Sequence, residues 1–399
     1  MMDFLAGNSK AIKMHNRALV LDTIRRNGSI SRIEISRQTL LTPTAVSDII
    51  RQLASMKLIR EKGEDISTGG RKPILLELNS DACYAIGIDI DEHKATGIIL
   101  NLAAETVHVS SLDIGDKDED KVIGVIINLI EDMVQGYGIT MDKVLGIGLG
   151  VPGMVDKKTG RVLYAPNLGW KNFPIIDKLK NSFKVPMLLE NEAWATGIAE
   201  YWVGLARQWE NFVCINIRTG VGSGIFINGS IYTGARGTAG EVGHSTVAND
   251  GPLCSCGNRG CLESMVSTPA LVKRYEERLN LGQGSTLQEI ISSYGKGNRA
   301  VKDVLEETGV YIGIGIANII NILNPSSIIL GGDITTYGHI ILDTIKDTVR
   351  KRALDVPASN TEIFISQLGL LGPAIGAGAI VLKNAFSFSD EIIQFKKVL

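Results

Sequence analysis

This chain has few cysteines, little net charge and no long hydrophobic run. Five cysteines in 399 residues rule out a disulfide-dense scaffold. A formal net charge of −2 excludes a uniformly basic nucleic-acid binder. No stretch approaches the roughly 20 consecutive apolar residues that span a bilayer. The N-terminus lacks an apolar core followed by a small-residue cleavage site, so no secretory leader is expected. The 44 glycines show no triplet period, which leaves tight turns as their use. The expectation is a cytoplasmic protein of two or three domains with no membrane partner. Its cysteines are then reduced, and any that cluster point to metal rather than disulfides.

What is present is unevenly spread. Residues 1–78 hold 13 Lys plus Arg against 8 Asp plus Glu, a net of +5, and the remainder carries −7. A basic head on an acidic body suits a DNA-binding module joined to a different domain. Lys10 to Asn27 reads as an amphipathic helix, with Leu19, Val20, Thr23 and Ile24 opposite Arg17, Arg25 and Arg26, stopped by Asn27-Gly28. Ser31 and Glu34 predict a capping box for a helix over 32–39 that buries Ile33 and Ile35. Thr42 caps a third helix, with Pro43 in its first turn and Val46, Ile49, Ile50 and Leu53 as its apolar stripe. Two short helices joined by a tight turn form a helix-turn-helix pattern. Thr42, Thr44, Ser47, Asp48 and Arg51 would face base edges or phosphates. Strands around Leu58–Glu61 and Pro73–Leu78 would flank a wing tipped by Gly69-Gly70-Arg71-Lys72-Pro73, with Arg71 suited to an A·T-rich minor groove. The alternative is a three-helix protein-interaction module with a solvated basic loop.

After Leu78 the pattern becomes α/β. Strands are expected over 84–90, 95–102 and 105–111, a helix over 121–135 and a strand over 144–151. A similar order restarts near Phe212–Ile217 and Gly224–Ile227, and a helical run ends at Ile328–Gly332. Two lobes of similar plan follow, with a ligand cleft expected between them. The expected domains are 1–80, 81–195 and 196–399, the C-terminal helix returning to the first lobe.

Cys254, Cys256 and Cys261 fall within eight residues, and Gly257 and Gly260 let the backbone fold so that three thiolates converge. That spacing suits tetrahedral Zn²⁺ and asks for a fourth ligand; the alternative is a chance cluster of small residues. Cys83 and Cys214 sit in apolar surroundings and are expected to be packing residues.

Thr219–Gly224, then Gly240-Glu241-Val242-Gly243-His244, then Cys254–Glu263 closely resemble the ROK family, over essentially the whole chain. That family comprises repressors and sugar kinases on an actin-like ATPase fold, and this chain looks most like the xylose-type repressors of Gram-positive bacteria. The resemblance implies His244 as the fourth zinc ligand, in a structural rather than catalytic site. It implies Asn191, Glu192, Glu241, His244 and Glu263 as sugar ligands, with Asn167 lining the same cleft. It also implies operator DNA and a monosaccharide inducer of the xylose or glucose class as partners, and a homodimer or homotetramer. Taken singly, these carboxylates would read as ordinary surface groups and caps.

The family's kinases use an Asp in an Asn-Asp-Ala-Asn segment as general base. Here Glu190-Asn191-Glu192-Ala193-Trp194 keeps a carboxylate, so that segment alone does not exclude catalysis. The first phosphate loop departs further. Asp89-Ile90-Asp91-Glu92-His93 places acidic side chains where the kinases read Gly-Gly-Thr, and these repel a polyanion. A non-enzymatic repressor is the expectation, and a sugar kinase with an appended DNA-binding domain is the alternative.

Overall fold

The computed structural model describes residues 9–64 and 74–387. They pack as two compact units. One runs to Glu190 and resumes at Ala377; the other is Asn191–Gly376.

The first unit opens with α1 (Ser9–Asn27), β1 (Ser29–Ser31), α2 (Arg32–Thr39), α3 (Pro43–Ser55), β2 (Ile59–Glu64) and β3 (Ile74–Leu78). Gly28, at φ +71°, ends α1 where an L side chain would be strained. The helices enclose Val20, Ile24, Ile35, Val46, Ile50 and Leu53. The three strands form an antiparallel sheet in the order β1-β3-β2. This is a winged helix-turn-helix. The wing tip, with Arg71 and Lys72, lies outside the described residues.

Three local expectations change. Ile33 is 71% exposed while Ile35 is buried, because residues two apart on a helix point to nearly opposite sides. Ser31 accepts from the Glu34 amide at 3.2 Å, but the Glu34 carboxylate turns to Arg37 at 2.9 Å, so the cap is one-sided. Arg25 is not on an open face; its side chain is 5% exposed and pairs with Asp22 at 2.9 Å.

The unit continues through β4 (Tyr84–Ile90), β5 (Lys94–Asn101), β6 (Thr106–Asp113), α4 (Glu119–Tyr137) and β7 (Val144–Val151). Then come β8 (Met154–Asp156), β9 (Arg161–Ala165), β10 (Trp170–Phe173), α5 (Ile175–Leu179) and β11 (Met187–Asn191). The main sheet has the order β11-β7-β4-β5-β6, with β8 to β10 as a separate small sheet that the sequence did not suggest. Apolar positions of α4, from Val122 to Met133, pack on the main sheet.

The second unit holds α6 (Glu192–Trp202), β12 (Phe212–Ile217), β13 (Val221–Ile227), β14 (Ser230–Ile231), α7 (Leu262–Val266), α8 (Thr268–Leu279), α9 (Leu287–Gly295) and α10 (Arg299–Leu323). It ends with β15 (Ser327–Gly332), α11 (Gly338–Arg352), α12 (Asp355–Asn360), β16 (Glu362–Ile365) and the start of α13 (Gly372–Ser387). Its sheet order, β14-β13-β12-β15-β16, matches the first sheet strand for strand when read from the other end. Both sheets are a three-strand antiparallel meander extended by crossover strands, the duplicated actin-like plan. Four helices, α7 to α10, rather than one lead into β15. The helical run stops at Leu323, Asn324 takes the left-handed conformation, and Ser327–Gly332 is strand.

The segment Gly369–Phe386 is long and apolar enough to cross a membrane by length and composition alone, though it is interrupted by Pro373, Lys383 and Asn384. It is two-thirds buried as a core helix. A Cβ on Gly148 would stand 1.9 Å from the Ala377 carbonyl oxygen, so α13 packs there against bare backbone.

Candidate functional site

In the second unit β12 and β15 run parallel, with Ile217 opposite Gly332, so their C-terminal ends lie together. Ligands of open α/β sheets bind at such ends. The chain leaves β12 in a tight turn in which the Arg218 amide donates to the Gly220 carbonyl at 2.9 Å. It enters β13 where the Val221 amide donates to Glu263 Oε2 at 3.0 Å. The Glu241 loop is tied down from two sides. Ser223 N–H donates to the Gly240 carbonyl at 3.0 Å, and Trp194 Nε1 donates to the Ala239 carbonyl at 3.1 Å. Asn191 caps α6, its side-chain oxygen accepting from Ala193 and Trp194. That cap sets Glu192 in the first turn of the helix.

Glu192 meets a residue that sequence reasoning missed. Arg218 Nη1 donates to Glu192 Oε2 at 3.0 Å, with side-chain exposures of 10% and 16%. A charged residue directly ahead of a glycine-rich loop was the available signal. Its partner lies 26 positions away.

A candidate metal cluster is assembled by an irregular loop. His244 and the three cysteines each offer a donor atom, and all four lie within 4.8 Å of one another. His244 Nδ1 is 3.6 Å from Cys254 Sγ, and Cys256 Sγ is 3.7 Å from Cys261 Sγ. Tetrahedral zinc at about 2.3 Å from sulfur implies donor–donor edges of roughly 3.7 Å, so the donor set fits that ion. Gly260 makes the fold of the loop possible, since its φ is +63° and a Cβ would lie 1.5 Å from the Ala248 carbonyl oxygen. Cys254 and Cys261 are buried and Cys256 is exposed. The backbone amide of Asn258 holds the Cys256 thiol below its ordinary range, and burial pushes that of Cys261 up to about 12. A cation at this point would draw all three to thiolate.

Glu263 joins the His–Cys cluster to the carboxylates. Its Oε1 accepts from Ser255 Oγ at 3.2 Å and lies 3.7 Å from Cys254 Sγ. Crowding by protein lifts the Glu241 carboxyl above its usual range; the His244 charge opposes this and that of Glu263 adds to it. Asn191, Glu192, Glu241, His244 and Glu263 thus all belong to the second unit. Asn167 belongs to the first, where its carbonyl accepts from Lys117 Nζ at 2.8 Å. Cys83 and Cys214 are fully buried.

The turn expected as a degraded phosphate loop joins β4 to β5. Asp91 Oδ1 accepts from the His93 and Lys94 amides at 2.7 and 2.8 Å. Glu92 pairs with Lys117 at 3.5 Å. A side-chain carboxylate thus occupies backbone N–H groups of the kind that cradle phosphates.

On the winged domain, Thr42 and Thr44 lie at the start of α3, Ser47 and Asp48 in its second turn and Arg51 in its third; Thr42, Thr44, Asp48 and Arg51 are exposed and Ser47 is half-buried. Thr42 accepts from the Ala45 amide at 3.3 Å, and Arg51 pairs with Asp48 at 3.2 Å.

A winged helix-turn-helix ahead of a duplicated actin-like body, with one histidine and three cysteines clustered in the second lobe, defines a class of protein. The ROK family model matches residues 85–384, and the chain belongs to the ROK family. It is 33% identical over 397 residues to the xylose repressor of Caldicellulosiruptor bescii, covering 96% of this chain and 99% of that protein. The crystal structure of a ROK family transcriptional regulator, a homolog of the E. coli MLC protein, is 26% identical with a TM-score of 0.83. It covers 97% of this chain and 100% of its own. A ROK family glucokinase from Streptomyces griseus, solved with glucose and AMPPNP, is 28% identical with a TM-score of 0.68. It covers 98% of itself but 74% of this chain.

Proposed function

We propose that this protein is a sugar-responsive transcriptional repressor that holds operator DNA through its winged helix-turn-helix and releases it when a monosaccharide binds the body. One observation carries the reading. The regulator-type relatives match this chain from end to end, whereas the glucokinase match leaves a quarter of it uncovered. The exposed Thr42 and Thr44 at the start of α3 support the DNA half. Glu192, Glu241 and Glu263, all in the second unit, support the sugar half, because carboxylates accept from adjacent hydroxyls. The effector is taken to be xylose first, by analogy with the C. bescii repressor, and glucose next, by analogy with the glucokinase solved with glucose.

His244, Cys254, Cys256 and Cys261 are proposed as the ligands of one structural Zn²⁺. His244 turns Nδ1 toward the sulfurs, which leaves Nε2 for a sugar hydroxyl. Zinc would fix the loop that carries His244 and leads into Glu263. A single helix-turn-helix reads too few bases to be selective, so a homodimer or homotetramer is proposed. DNA as the partner places the protein in the cytoplasm. Sugar phosphorylation is not proposed: Asp91 fills the turn where a nucleotide's phosphates would approach. The test is a gel-shift titration of upstream DNA from a carbohydrate operon, with and without a panel of aldoses. Retarded DNA that one aldose releases supports the reading. No retardation, or ATP consumption with any aldose, overturns it.

A further inference from the structure

We infer that Arg218 is a positioning residue of the sugar site, holding the Glu192 carboxylate as a fixed acceptor for an uncharged sugar. This rests on the sugar-responsive reading above and narrows its ligand class.

Arg218 is 8% exposed, and its aliphatic stem is wedged rather than loose. A Cβ on Gly332 would stand 2.8 Å from Arg218 Cγ. Gly332 is therefore the residue that leaves room for the stem, and its φ of +84° already selects glycine. The main chain of Arg218 is pinned at both ends. Its amide donates to the Gly220 carbonyl, and its own carbonyl accepts from the Thr268 amide at 2.9 Å. Thr268 in turn donates through Oγ1 to Asp333 Oδ2 at 2.6 Å. A side chain gripped in this way delivers its guanidinium to one place, and Glu192 Oε2 is there at 3.0 Å.

Two consequences follow from charge and geometry. A carboxylate accepting from a guanidinium has its plane fixed, and since each oxygen can accept more than one hydrogen bond, it meets a hydroxyl without first losing rotamer freedom. The second concerns net charge. At the 218–221 turn Glu192 engages the cation of Arg218 and Glu263 holds the Val221 amide, so two carboxylates stand against one guanidinium. The balance remains negative. A phosphorylated sugar is repelled there, and a neutral polyol is not.

The test is calorimetric titration of the full-length, zinc-loaded protein with xylose, glucose and their phosphate esters. The proteins are wild type, Arg218→Gln, Glu192→Gln, the double variant and Arg218→Lys, each checked for folding by its melting temperature. The expected result is a neutral sugar bound by wild type and its phosphate ester at least roughly tenfold weaker. Arg218→Gln and Glu192→Gln should each weaken the neutral sugar about tenfold, with the double variant no weaker than either alone. Arg218→Lys should recover most of the loss, because it keeps the charge. If Arg218→Gln does not fold, the Arg218→Lys arm and the wild-type comparison of sugar with phosphate ester still decide. Additive losses, unchanged affinity in Arg218→Gln or tighter binding of the phosphate ester would overturn the inference. Wild type that binds no sugar at all is a separate outcome, which fails the repressor reading and takes this inference with it.

Discussion

Glu200, on α6, is fully buried and bonded to Ser366 and to the Leu205 amide. Burial raises its pKa above the ordinary 4.5, and those two hydrogen bonds only partly offset the rise. Below about pH 4.5 both folded and unfolded states are protonated and the group costs nothing. As pH rises through the folded value, the unfolded state loses its proton first, so native stability falls and then levels off. Glu200→Gln should therefore melt like wild type near pH 4 and higher than wild type at pH 8. Melting curves across that range check it, and a gap of equal size at both ends would refute it. Cys256→Ser removes one of four metal donors, and metal content and sugar response should fall together; elemental analysis and titration measure both. At this scale the cysteines were legible because their spacing is local. The Arg218–Glu192 pair was not, because only the return of β12 to the start of α6 brings those residues together.

Elements were read well where the apolar signal was long. β4, β5 and β7 lie where near-continuous apolar runs put buried strands, and the stripe of α3 lies where helical spacing puts it. The three-residue β1 carries no period of its own and exists by pairing with β3, more than forty positions on. The β8 to β10 sheet is similarly short and non-local. Ile33 was misplaced because an apolar residue was taken as evidence of burial, which does not follow on a surface helix. Thr42→Ala removes the cap of α3 and should cost about 1 kcal/mol, read as a lower melting temperature of the winged domain. Arg71→Glu should weaken operator binding and reduce the slope of log affinity against log salt by roughly 2, because a repulsion replaces the neutralisation of one phosphate. A gel-shift series in salt that leaves both unchanged would remove the wing from the interface.

For the whole molecule, the duplication of the α/β plan was legible from two similar runs of strands, while the strand order within each sheet and the position of the division were not. Asn191 and Glu192 were expected at the end of the first lobe, yet they open the second unit. The strand β11 and the helix α6 are continuous in sequence, and only packing separates them. If one ligand governs both DNA and sugar binding, the coupling is reciprocal: operator DNA must weaken sugar affinity by the factor by which sugar weakens DNA affinity. Calorimetry of the sugar with and without operator measures that factor, and equal affinities would show the two activities to be uncoupled. The carboxylate of Asp91 in the β4–β5 turn has a further meaning for such a switch. A pocket that phosphorylates its sugar consumes the message it reads, and its output depends on how fast it works. On the proposed reading, a regulator whose β4–β5 turn is occupied by its own Asp91 carboxylate returns every sugar molecule it captures. Its output then tracks the concentration of free sugar and resets when the sugar is gone, without any fuel supply.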